Sequence, residues 1–307
     1  MTSGACMRSS ILALATAWCL PASAGQSSLF RAGVDLVTVG VTVSDRRGNL
    51  VTDLTAEDFE LFEDGRRQHV LHFGGHAASS LPMHLGLVLD LSESMADDIA
   101  FTRTASIRFL DALEEAADVT LVDFDTEVRV GRYARHDFVR LVERIRSQKP
   151  RGATALFDAI GVYLDGASGA TGRTIMVLYS DGGDTRSVLR LHDVLNLIKA
   201  SDVTVYAVGV VQHSTVRARA EQQLVLRQLA DASGGRAFFP LSVADLDKAY
   251  QEVLGEIRAQ YVLGYVSTNE KADGAWRKLG IRLAGRADRD LRVRARSGYF
   301  APLRSGR

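Results

Sequence analysis

The chain has 307 residues, 46% of them hydrophobic and 24% charged, with 37 basic side chains balanced by 37 acidic ones. That is enough apolar matter to bury a core in one large domain or two modest ones, and it excludes a disordered chain. The neutral balance gives no sign of a nucleic-acid surface, a polybasic membrane contact or an acidic tail.

The first 24 residues differ from the rest. Arg8 precedes an apolar run from Ile11 to Leu20, which ends in Pro21-Ala22-Ser23-Ala24. A basic start, a short apolar stretch and an A-x-A end describe a secretory signal peptide, with export to the periplasm or cell exterior. The run is roughly ten residues, against about 20 for a helix that spans a bilayer. An uncleaved N-terminal anchor is the alternative, and Met7 offers a second possible start. Trp18 stands before Cys19 where a lipoprotein needs a small residue. Cys6 and Cys19 are the only cysteines, so beyond the leader there is no thiol nucleophile, CxxC pair or cysteine-based zinc site. No second segment is long and apolar enough to span a membrane, so the mature chain is expected to have none.

Residues 25–80 read as strands. Val34 to Ser44 alternates apolar and other residues and is rich in Val and Thr. Arg46 to Asn49 is a turn, and Thr55 can cap a short helical turn within Asp53 to Asp58. Phe59 to Phe62 is a strand, Glu63-Asp64-Gly65 a turn, and Arg67 to Phe73 a further strand. His69, His72 and His76 invite a metal reading, but on a strand residues 69 and 72 point to opposite faces. A solvated β-segment is the better reading.

From residue 81 the texture changes. Leu85 to Leu91, Val119 to Phe124, Thr174 to Tyr179 and Val203 to Val211 are apolar on both parities, as strands buried on both faces are. Helical patterns separate them at Asp97 to Ala117, Asp137 to Gln148, Leu156 to Ala167 and Val188 to Ala200. Arg217 to Ala232 and Val243 to Ala259 are two more helices, with a short strand at Ala237 to Phe239 between them. The alternation predicts an α/β domain over 81–258: a doubly wound, mainly parallel central sheet with helices on both faces. Residues 259–307 return to strands at Tyr261 to Val266, Lys278 to Leu283 and Leu291 to Ala295. Each end holds only half a β-domain. Pairing 25–80 with 259–307 gives one small β-sandwich with the α/β domain inserted between its halves.

Oxygen-bearing side chains gather where the parallel strands end. Asp90, Ser92 and Ser94 stand at i, i+2 and i+4 where the first α/β strand gives way to a loop. Thr154 lies in the loop Gly152 to Leu156, and Asp181 follows the strand Thr174 to Tyr179. Open parallel sheets place ligand sites at this end. Carboxylates and hydroxyls without a soft ligand suit Mg²⁺, Mn²⁺ or Ca²⁺. Few carboxylates with neutral hydroxyls favour Mg²⁺, since Ca²⁺ normally takes six to eight oxygens. Ser92 and Ser94 could also cap the next helix, which is compatible with binding an ion. Glu93 and Asp184 stand near enough to act through water. Asp123 and Asp125 are expected at the rim or in a turn. Gly166 to Gly172 lacks the Lys of a phosphate loop and reads as a turn. The arginines from Arg286 to Arg296 are broken by Asp288 and Asp290, as on a solvated strand face.

Asp90-Leu91-Ser92-Glu93-Ser94, then Gly152-Ala153-Thr154, then Ser180-Asp181-Gly182 resemble the metal-ion-dependent adhesion site of the von Willebrand factor type A domain. The flanks, with Leu54-Thr55, Asp58-Phe59, Phe62 to Gly65 and the ending Ala295 to Phe300, resemble a bacterial group of exported proteins carrying a related domain. The resemblance implies that Asp90, Ser92, Ser94, Thr154 and Asp181 hold one divalent ion with a coordination position open. A carboxylate from an Asp or Glu of a partner protein would fill it, giving an exported, non-enzymatic adhesion or interaction module. The alternatives are a structural envelope component with a stabilising or vacant site, and a hydrolase using the ion to polarise water. The latter needs a general base, and no histidine falls in the three loops.

Overall fold

A computed structural model of the protein describes residues 36–75, 82–113, 115–210, 215–284 and 290–303. The leader at 1–24, His76, Arg286 and Asp288 lie outside the described residues.

The central sheet has six strands in the order β10-β9-β8-β5-β6-β7. These are β5 (Met83–Asp90), β6 (Ala116–Phe124), β7 (Val128–Ala134), β8 (Arg173–Ser180), β9 (Val203–Gly209) and β10 (Arg236–Phe238). All neighbours are parallel except β6 and β7. Alternation along β5 supplies two cores at once. Leu85, Leu87 and Leu89 face one layer, with α1 (Ile99–Ala112), α2 (Phe138–Ser147) and α6 (Val243–Ala259) packed on it. Val88 faces the other, against α3 (Leu156–Ala167), α4 (Leu191–Ala200) and α5 (Val216–Ala232). Gly86 is required by this packing: a Cβ there would stand 2.2 Å from the Tyr163 ring.

Two four-stranded antiparallel sheets come from the chain's two flanks. One has the order β13-β1-β11-β4 and the other β14-β12-β2-β3. The N-terminal members are β1 (Leu36–Ser44), β2 (Phe59–Glu63), β3 (Arg66–Gln68) and β4 (Val70–Gly74). The C-terminal members are β11 (Tyr261–Val266), β12 (Trp276–Leu283), β13 (Arg292–Ala295) and β14 (Gly298–Phe300). Each sheet mixes both ends: β1 lies between β11 and β13, and β2 pairs with β12. Val39, Val41, Leu61, Tyr261, Leu263 and Tyr265 fill the core between them. The buried Glu63 pins the two sheets, accepting hydrogen bonds from Tyr265 (2.6 Å), Ser267 (2.6 Å) and Tyr299 (2.9 Å). A single strand was expected over Arg67 to Phe73. The chain instead switches sheets at His69, so β3 pairs with β2 and β4 with β11.

The sandwich is bolted to the α/β part by arginines. Arg296 donates to Ser201 O (3.1 Å), Asp202 (2.5 Å) and Thr38 O (2.7 Å). Arg294 donates to Gly234 O (3.0 Å) and pairs with the buried Glu256 of α6. Among the described residues no helix is long and apolar enough to cross a membrane.

Candidate metal site

The site is assembled at the C-terminal ends of β5, β6 and β8. Asp90 is the last residue of β5 and is fully buried. The Ser92 hydroxyl donates to its Oδ1 at 2.6 Å and the Ser92 N–H at 2.9 Å. Ser92 Oγ lies 3.0 Å from Ser94 Oγ, so the three positions are already linked in a row. The hydroxyl of Ser92 is thereby directed at Asp90 and not at the short 3-10 turn Glu93–Met95 that follows. Glu93 is exposed, and its N–H reaches Gly152 O at 3.1 Å.

From β8, Ser180 donates its hydroxyl to Asp90 Oδ2 at 2.6 Å. The next residue, Asp181, is mostly buried and takes the Gly183 N–H on its Oδ1 at 2.8 Å. Burial pushes the Asp90 carboxyl up to about 7; the Ser180 and Ser92 hydrogen bonds pull against that, and the neighbouring Asp181 charge adds to it. Among the described residues no Lys or Arg pairs with Asp90 or Asp181.

Thr154 is buried in the third loop and is placed by its backbone. Its N–H donates to Thr185 Oγ1 at 3.0 Å, and its carbonyl accepts from the N–H groups of Thr185 (2.9 Å) and Arg186 (3.0 Å). The loop is stitched to β5 by Arg151 N–H on Leu91 O (2.8 Å), and to β6 by Ala155 N–H on Asp125 O (2.9 Å). Gly152 turns the loop with φ +68°, and a Cβ there would strike Thr126 Oγ1 at 2.4 Å. Asp184 faces away from this cluster. It accepts from Phe157 N–H at the start of α3 (3.0 Å) and from the Ser187 hydroxyl (2.5 Å) and N–H (3.2 Å). Asp184 therefore clamps the Asp181 loop to the helix that follows Thr154.

The donor set fits a hard divalent cation. Two neighbouring carboxylates, one of them fully buried, stand among hydroxyls, and no basic side chain among the described residues balances them. Such a group is costly to ionise unless a cation joins it. Among the described residues there is no cluster of three or more His, Cys, Asp or Glu side chains suited to a metal. Any ion here would thus depend on the hydroxyls of Ser92, Ser94 and Thr154 as well as on Asp90 and Asp181.

Asp123 and Asp125 were expected at the rim or in a turn; Asp125 does lie in the turn from β6 to β7, but both side chains are almost completely buried, not at a rim. Arg129 donates to Asp123 (2.5 Å) and, through both Nη atoms, to Asp125 (3.1 and 3.0 Å). Arg144 adds a bond to Asp123 at 2.7 Å and Arg151 one to Asp125 at 2.9 Å. The cause lies in β7, absent from the sequence reading, which returns along β6 and brings Arg129 opposite Asp123. Burial works to raise the Asp125 pKa, but the Arg129, Glu127 N–H and Arg151 bonds outweigh it and hold the carboxyl near 2. This clasp and Ser180 are the supports that motif reading missed. Tyr179 is in register with Leu89, so Ser180 and Asp90 are next on neighbouring strands. Only a known strand order shows that.

Residues 84–252 match the family model for the von Willebrand factor type A domain. No curated protein matches the chain. Among solved structures, a von Willebrand factor type A protein from Catenulispora acidiphila is 12% identical, with 88% of this chain and 74% of that one covered and a TM-score of 0.48. The von Willebrand factor domain of the type V pili tip protein Mfa5 from Porphyromonas gingivalis is 14% identical over 59% of this chain and 97% of that one, with a TM-score of 0.46. BatB from Bacteroides thetaiotaomicron is 16% identical over 57% and 99%, with a TM-score of 0.45. The family match spans more than half of the chain and coincides with the six-stranded sheet that carries the site, and the chain belongs to the von Willebrand factor type A domain family.

Proposed function

We propose that this chain is an exported protein-binding module whose contact with its partner depends on a divalent cation, Mg²⁺ by preference, held by Asp90, Ser92, Ser94, Thr154 and Asp181. Domains of this family commonly hold a divalent metal at such a motif. The observation that carries the reading is the buried Asp90. It sits beside Asp181, amid hydroxyls, at the meeting point of three loops, and no basic side chain among the described residues compensates it.

When bound, the ion would supply positive charge and a coordination position for an Asp or Glu carboxylate of the partner. The chain's own groups do the rest. Ser180 and Ser92 fix both oxygens of Asp90, and the backbone bonds of Thr154 fix its loop against the other two. Turnover is not part of the proposal. Of the two carboxylates that stand near the site in sequence, Asp184 is committed to α3 and Ser187, and Glu93 is exposed. Export rests on the leader pattern at 1–24.

The test is capture of binding proteins from an envelope extract on the immobilised full chain, in Mg²⁺ and in chelator. The proposal expects a partner retained in Mg²⁺, released by chelator and lost with Asp181→Asn. Equal retention in chelator and with the variant would contradict it.

A further inference from the structure

Arg151 stands three residues before Thr154, and its backbone ties it to the metal loops. Its N–H bonds to Leu91 O, and the carbonyl of the next residue, Gly152, accepts from Glu93 N–H. Its side chain is about two-thirds exposed (68%), whereas the Asp125 side chain that holds it is 3% exposed. The tether is single: Nε donates to Asp125 Oδ2 at 2.9 Å. Among the described residues neither Nη atom has a protein partner, and exposed Glu93, near in backbone, makes no ion pair with it. The guanidinium is therefore anchored at its inner edge by a carboxylate that is itself fixed by Arg129, and its outer edge presents two N–H donors to solvent.

A guanidinium held in this way differs from an ordinary surface arginine. The ordering that usually cancels the gain of an exposed ion pair is already supplied by Asp125. Its free fork matches a carboxylate in shape. Exposed Arg186, whose N–H rests on Thr154 O, adds a second positive charge near the same loop.

We propose that Arg151 is a second anchor for the partner, and that the segment recognised carries two acidic side chains: one for the cation site and one for the guanidinium of Arg151. This rests on the reading of the cation site given above. It narrows the partner from any accessible carboxylate to a diacidic segment. In an extended segment, acidic residues two apart share a face.

The test uses the full chain and Mn²⁺ as the probe ion. Mn²⁺ affinity is read from the electron paramagnetic resonance signal of the free ion. Capped pentapeptides with one Asp, or with Asp at the second and fourth positions, are then titrated into the loaded protein, and binding is read from Mn²⁺-induced relaxation of peptide protons. The expected result is about tenfold tighter binding of the diacidic peptide. Arg151→Gln should bring the ratio of diacidic to monoacidic affinity, taken within the Mn²⁺-loaded variant, down to about one whatever it does to Mn²⁺ affinity itself, and Arg151→Lys, which keeps charge without the fork, should retain only part of the ratio. A diacid advantage that survives Arg151→Gln would overturn this inference alone, as would equal binding of the two peptides; binding of neither to Mn²⁺-loaded wild type would overturn it together with the carboxylate-accepting role given to the ion. Absence of Mn²⁺ binding would overturn the cation site, and this inference with it.

Discussion

The chemistry of the site depends on a few side chains whose neighbours decide their state. Asp90 and Asp125 are both buried carboxylates near the ends of adjacent strands, and their surroundings push them in opposite directions. Asp125 is surrounded by guanidinium groups and Asp90 by hydroxyls and another carboxylate. Asp125 has a folded-state pKa near 2, below its ordinary 3.8. Its ionisation therefore stabilises the fold above about pH 4, and that contribution is lost as pH falls toward 2. A shift of this size is worth about 2 kcal/mol. Asp125→Asn is expected to lower stability by about that much at neutral pH, and to flatten the stability profile between about pH 4 and 2; urea unfolding across that range measures both. Gly86 is decided by shape alone. Gly86→Ala forces a methyl group into the Tyr163 ring and is expected to cost about 1–3 kcal/mol, read as a lowered melting temperature. An unchanged melting temperature would contradict the close packing of α3 on β5.

At the scale of elements, the buried strands and long helices could be read from periodicity, because their side chains meet core on every parity or on one stripe. Helices Leu156–Ala167 and Val243–Ala259 begin and end where their apolar patterns do. The departures have physical causes. Helix α1 stops at Ala112, because Ala116, a good helix former, is taken into β6 by pairing with Met83 of β5, and Ala117 follows it in that strand as an irregularity in the register. Strand β7 was not legible, since its Arg-rich, Gly-interrupted sequence is that of an exposed edge. The order of Asp90, Ser92, Ser94, Thr154 and Asp181 was legible because the motif residues are local to three loops. Ser180 and the arginine clasp were not, because they act across strands. The sandwich offers its own check. Glu63 holds hydroxyls from β11, β14 and the segment after β11. Glu63→Leu would leave three hydroxyls without their acceptor, and is expected to destabilise the fold by about 2–4 kcal/mol. A fully stable variant would show that the sheets do not need this pin.

Across the whole molecule, the two flanks of the chain close into one sandwich around the inserted α/β domain. The join is short: Gln260 alone separates α6 from β11. Arg294 on β13 grips Glu256 of α6, and Arg296 reaches Asp202 after α4 and Thr38 on β1. The face bearing the three loops lies at the C-terminal ends of the parallel strands. The central claim is that Asp90, Ser92, Ser94, Thr154 and Asp181 together bind one divalent cation, and thermal unfolding of the full chain in chelator and in rising Mg²⁺ or Mn²⁺ tests it most directly. A ligand at 100 times its dissociation constant stabilises by about 2.7 kcal/mol, so the account predicts a melting temperature that climbs with ion concentration in wild type and stays flat in Asp181→Asn and Ser92→Ala. A wild type that does not respond, or variants that respond equally, would contradict it.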